Sequence, residues 1–149
     1  MLPERLKRRD TAEAAQQQMV LCGNCRFTVL TDRLLRIEFA PDAVFEDRGT
    51  QSVVNRQFPE TPYRLRRDSR SIQIETGKLT LYWEHEAALS ALSVTVHTMP
   101  GNPVWHWGDE VHTLKGTCRT LDGYPVESNG ELGEGVCSRN GYSVLEDGG

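Results

Sequence analysis

Between Arg26 and Trp107 apolar residues recur at every second position in one short run after another, and this period of two is what most limits the folds open to the chain. A strand sends successive side chains to opposite faces, so alternation marks a strand with one face in a core, whereas a helix would repeat every three to four residues. Phe27 and Val29 alternate with polar neighbours. After the turn residues Thr31-Asp32-Arg33, the set Leu35, Ile37 and Phe39 alternates with Leu34, Arg36 and Glu38, until Pro41-Asp42 stops the ladder. A hairpin is predicted from Ser71, with Ile72 and Ile74 on one side of Thr76-Gly77-Lys78 and Leu79, Leu81 and Trp83 on the other. Leu92, Val94 and Val96 signal a further strand, halted by Met99-Pro100-Gly101. Val104 to Trp107 forms a short aromatic strand. Inside the strand region, only Glu84 to Ala91 hints at a helix.

Several short strands with turn signals between them and almost no helical period predict an all-β fold, a β-sandwich rather than a βαβ fold. Its inward residues are expected to be Phe27, Val29, Leu35, Ile37, Phe39, Ile72, Ile74, Leu79, Leu81, Val94 and Val96. Residues 1–25 read as an arm or short helix: Pro3 to Met19 holds good helix formers but only a thin apolar stripe of Leu6, Ala14 and Met19. The sandwich is expected over residues 26–149. Its last part, from Gly108, carries nine of the thirteen glycines and is expected to be loop.

A formal charge of -4 leaves no broad cationic field for a polyanion, which argues against nucleic acid as a partner. The basic run from Arg5 to Arg9 is followed by Asp10 and Glu13 and reads as a solvated segment. No run approaches the roughly 18 apolar residues of a membrane helix, and the first thirty residues lack the apolar core of a secretion signal, so the chain reads as cytoplasmic with no membrane partner. Cys22-Gly23-Asn24-Cys25 has the spacing of a metal knuckle, but Cys118 and Cys137 do not form a second such pair. Isolated reduced thiols, with no metal and no cofactor, are the expectation.

Two blocks of sequence resemble a known family. Arg26 to Pro59, with its strand pair followed by FEDR and then VVNRQFP, resembles the opening of family 31 glycoside hydrolases, the α-glucosidase and α-xylosidase group. GTCRTLDG, from Gly116 to Gly123, with CSRNGYSVLED, from Cys137 to Asp147, resembles a later part of the same amino-terminal domain. The resemblance implies a galactose-mutarotase-like sandwich packed on a catalytic (β/α)₈ barrel of the same parent chain. In that family two barrel aspartates hydrolyse α-glycosides with retention. This chain contains no alternation of strands and long helices, so it is expected to be inactive alone, with no catalytic residue of its own.

The resemblance also implies that Asp122, and with it Arg119, lines the outer substrate pocket of the parent enzyme, in contact with carbohydrate. The bland reading of the two is a loop-stabilising ion pair. Asp109, Glu110 and His112 follow Trp105-His106-Trp107, and acids beside aromatic rings suit a sugar site. Tryptophans two apart on a strand are more often core, however, and acids on a loop opened by Gly108 are more often solvated. Two other functions compete with the enzyme domain: a free-standing carbohydrate-binding module and a structural or interaction domain. A module would keep Trp83, Trp105 or Trp107 in water as a platform. A domain shaped to cover a barrel would instead expose an apolar docking face, through which the chain alone would form homo-oligomers.

Overall fold

A computed structural model describes residues 12–50, 52–85, 88–115 and 137–147. Among these residues eight strands form two antiparallel meanders, one of three strands and one of five. The first sheet holds β1 (Met19–Cys22), β2 (Cys25–Thr31) and β3 (Leu34–Phe39). The second holds β4 (Arg64–Arg67), β5 (Ser71–Glu75), β6 (Leu79–Glu84), β7 (Ser93–Val96) and β8 (Val104–His106). Helix among the described residues is limited to two 3-10 turns, Gln16–Gln18 and Leu89–Ala91. The fold is all-β, as the alternation requires, and one face of each sheet closes the core.

The core follows from register. Phe27 lies opposite Ile37 and Val29 opposite Leu35 in the first sheet; Ile72 lies opposite Trp83 and Ile74 opposite Leu81 in the second. These pairs face one another across the sandwich with Val20, Cys22, Cys25 and Leu92, and the Phe27 ring meets Trp83 edge-on at 6.2 Å between centroids. Each fully buried side chain of this size stabilises the fold by about 1.5 to 3 kcal/mol. Two hydrogen bonds stitch the sheets at their rims. The Thr76 hydroxyl, at the β5–β6 turn, donates to the Asp32 carbonyl at the β2–β3 turn, and the Arg67 guanidinium on β4 donates to the Leu21 carbonyl on β1.

Several expectations need correction. Phe39 and Leu79 were expected inside, but Phe39 is exposed and Leu79 only half-buried. Each ends a strand, and β3 is an edge strand whose ends run past the shared core. Leu35, Ile37 and Val94 pack on the core while only partly buried. The stretch read as an arm or short helix enters the sheet before residue 25, since Met19–Cys22 is β1 and pairs with β2 through a two-residue turn. Gly23 at φ +55° takes the first central position of that turn, which closes tightly only because a glycine accepts a left-handed backbone there. Glu84 to Ala91 is no helix among its described residues: β6 runs through Glu84, and a single 3-10 turn follows at Leu89–Ala91.

Strand β4 has no counterpart in the sequence reading. Its four residues, Arg-Leu-Arg-Arg, are all exposed and carry no apolar alternation. Among the described residues it is an edge strand, and charges of this kind discourage another chain from adding to an edge. The larger departure is β2, which is buried on both faces from Cys25 to Leu30. A strand of an open two-layer sandwich should have a wet outer face; here something covers it.

The core register yields a graded outcome. Ile74→Ala should cost about 2 to 5 kcal/mol in urea unfolding. Leu34→Ala, on the exposed start of β3, should change stability by no more than about 0.5 kcal/mol. Equal costs at the two positions would contradict this placement of the core.

Candidate functional site

The cover over β2 is the connection from β3 to β4, and ionic side chains hold it down. Arg26 and Arg36 project from the outer face of β2 and β3, where they are register partners of Glu38 and Thr28 respectively. Glu38 bridges the two arginines: Arg26 reaches it through Nε at 2.7 Å and Arg36 through a terminal nitrogen at 2.8 Å. Both guanidinium groups then donate to the Glu46 carbonyl, at 3.3 and 2.8 Å. Arg26 also pairs with Asp47 at 2.7 Å and lies over the Phe45 ring, 4.8 Å from its centre. Burial disfavours the Arg26 charge, but the hydrogen bonds and charges of Glu38 and Asp47 outweigh it and hold the guanidinium pKa above its usual value. Arg36 is pushed the other way, because burial and the charges of Arg56 and Arg26 outweigh Glu38.

Arg56 completes the arrangement. Its side chain is fully buried, a rare place for an arginine, and it joins three separate stretches of chain. One terminal nitrogen donates to the Ala12 and Arg48 carbonyls, at 3.0 and 2.9 Å; the other donates to Asp147 at 3.2 Å. The other carboxylate oxygen of Asp147 takes a hydrogen bond from the Thr50 hydroxyl at 2.5 Å. Arg56 Nε is buried without a hydrogen-bond partner among the described residues, and Arg56 lines a void of about 10 Å³ with Ala14, Ala15, Gln18, Val29, Leu30 and Phe58. That is about the space a single water needs.

The chemistry open to this site is limited. Its buried charges are mutually neutralised, and each carboxylate described in it already bonds an arginine. None is left facing a cleft as a free acid or base. Among the described residues no three metal-ligating side chains gather.

The sites expected from sequence fare differently. Arg119 and Asp122 lie outside the described residues, as does Cys118. The described chain on either side of that stretch is drawn together, with Thr113 bridging Ser138 and Leu114 N–H donating to the Cys137 carbonyl at 2.8 Å. Asp109 is a turn-making residue. Its carboxylate accepts the His106 backbone N–H at 2.8 Å and meets the His106 ring at 3.2 Å, and these bonds hold its pKa below the usual carboxylate range. Glu110 and His112 are exposed. Trp83 is buried, while Trp105 and Trp107 are half-buried, tilted against one another at 6.4 Å and packed on the core.

The residues of the ionic cover, Arg26, Glu38, Asp47, Arg56 and Asp147, were not singled out from sequence. A local signal existed: Arg26 and Arg36 stand on adjacent strands with Glu38 two residues on, a charge pattern that a solvated face does not need. The pairing with Asp147, 91 residues away, had no local signal at all.

No protein-family model and no curated protein sequence matches the chain.

Two outcomes follow from the ionic cover. Arg56→Met should lower stability by about 3 kcal/mol, because it strands Asp147 and two backbone carbonyls, while Arg48→Met, on an exposed pair with Glu46, should be close to neutral. Chemical denaturation of both variants checks this. Glu46 also sets a pH dependence: its pKa is depressed to about 2 by the side-chain and backbone hydrogen bonds of Arg48. A depressed carboxyl contributes stability above its unfolded value, near 4.5, and loses it as pH falls toward 2, although for this exposed pair solvent screening keeps that contribution small. The Glu46 resonance in a carboxyl NMR titration should therefore still be moving below pH 3.

Proposed function

We propose that the chain is a non-catalytic amino-terminal sandwich domain of a family 31 α-glycoside hydrolase, which packs on the catalytic barrel and shapes the mouth of its substrate pocket. One observation carries the reading. Three of the segments that resemble the family, FEDR at 45–48, VVNRQFP at 53–59 and the LED that ends at Asp147, contact a shared set of arginines, with Phe45, Glu46 and Asp47 on Arg26 and Arg36, and Arg56 between Arg48 and Asp147, while GTCRTLDG lies outside the described residues. Their role is to fix the sandwich, which fits a domain whose chemistry is supplied elsewhere.

The buried Trp83, and the packing of the half-buried Trp105 and Trp107 on the core, favour this reading over a free-standing carbohydrate-binding module, because sugar stacking needs a ring face in water. On the same reading Asp122 and Arg119 border the pocket, on the stretch whose described flanks are paired at Thr113 and Ser138. The parent enzyme would act on α-glucosides or α-xylosides in the cytoplasm. The exposed apolar side chains, such as Leu21, Val44, Leu114 and Leu145, supply material for the face toward the barrel.

The purified chain should show no turnover of aryl α-glucosides or α-xylosides, and saturating maltose should leave its tryptophan fluorescence unchanged. The coding sequence should continue beyond Gly149 into a barrel carrying two carboxylates. A stop codon at that point, or a sugar-dependent fluorescence change abolished by Trp107→Ala, would transfer the assignment to a binding module.

A further inference from the structure

We propose that Cys22 and Cys25 form a cross-strand dithiol site that a small-molecule disulfide of the glutathione class oxidises to an intramolecular disulfide. The two cysteines close the β1–β2 hairpin as direct register partners, separated only by the Gly23-Asn24 turn. Opposed residues of an antiparallel pair have Cα atoms about 4.5 to 5.5 Å apart, inside the range of about 4.4 to 6.8 Å that a disulfide spans. Opposed residues also share a face, and here it is the core face: both thiols are almost completely buried and belong to the same apolar cluster. The sequence spacing alone read as half of a metal knuckle; the register shows a pair complete in itself.

The thiols are free in this structure, so the site is described in its reduced state. Oxidation proceeds by two exchanges. One thiolate attacks the small disulfide, forming a mixed disulfide and releasing one small thiol. The second thiolate then attacks the protein sulfur of that mixed disulfide and releases the other. Two protons and two electrons leave the pair, and the small disulfide is reduced to two thiols. Burial, together with the neighbouring Cys22, raises the Cys25 pKa to about 11, so the thiolate is scarce at neutral pH and the reaction is slow. Entry requires opening of β1, which has four residues and lies at the sheet edge. Once formed, the bond would pin that edge strand to β2.

Trypsin releases both cysteines in one peptide, Asp10 to Arg26, which makes the test direct. The native chain is incubated with oxidised glutathione at several pH values, quenched with acid, alkylated, digested and weighed. The expected product is this peptide two hydrogens lighter and unalkylated, restored by reductant, accumulating faster at each step of pH from 7 to 9. A doubly alkylated peptide, one retaining glutathione, one linked to Cys118 or Cys137, or oxidation only after denaturant is added would overturn the proposal.

Discussion

The charge buried on Arg56 is the constraint around which the outer half of this molecule is organised. A guanidinium removed from water must find acceptors for its hydrogens, and the cost of failing is several kcal/mol. Arg56 finds them on Ala12, Arg48 and Asp147, three points far apart in sequence. Satisfying one side chain therefore ties down the segment before β1, the connection after β3 and the last described residues. Its Nε finds no partner among the described residues, and the side chain lines a void with room for about one water.

From that point the three-layer character follows. The five-stranded sheet is one layer and the three-stranded sheet the second; described residues of the β3–β4 connection cover the latter, held at Glu46 and Asp47 by Arg26 and Arg36, which Glu38 bridges. This explains why β2 is buried on both faces although its outward residues include Arg26 and Thr28. An ionic layer of this kind contributes less net stability than an apolar one would, because each charge has lost its water.

The sandwich was legible in the sequence because a half-buried strand writes its period into the chain: Phe27 with Val29, Ile72 with Ile74, and Leu81 with Trp83 are where alternation places them. Strand β4 was illegible because an exposed edge has no face to encode, and β1 because its two buried positions, Val20 and Cys22, are too few to establish a period. Phe39 shows the opposite error, a correct alternation carried past the end of the shared core. The ionic cover was recognisable only as a family-like string of letters. Its physical meaning depends on Arg56 meeting Asp147, a contact no local pattern specifies, while Arg119 and Asp122 fall outside the described residues. On the proposed function this division is natural: the frame is built here, and the chemistry it serves lies in a partner domain.

Asp147, through Arg56, holds the covering connection onto the three-stranded sheet. Native-state hydrogen exchange on Asp147→Asn tests it residue by residue. The amides of Thr50 and Val53, which bond within the covering connection, should exchange faster by at least about tenfold, the change expected for a loss of ~1.4 kcal/mol, while Ile72, Ile74 and Leu81 in the second sheet keep their protection. Faster exchange confined to residues 142–147, with Thr50 and Val53 unchanged, would contradict the account.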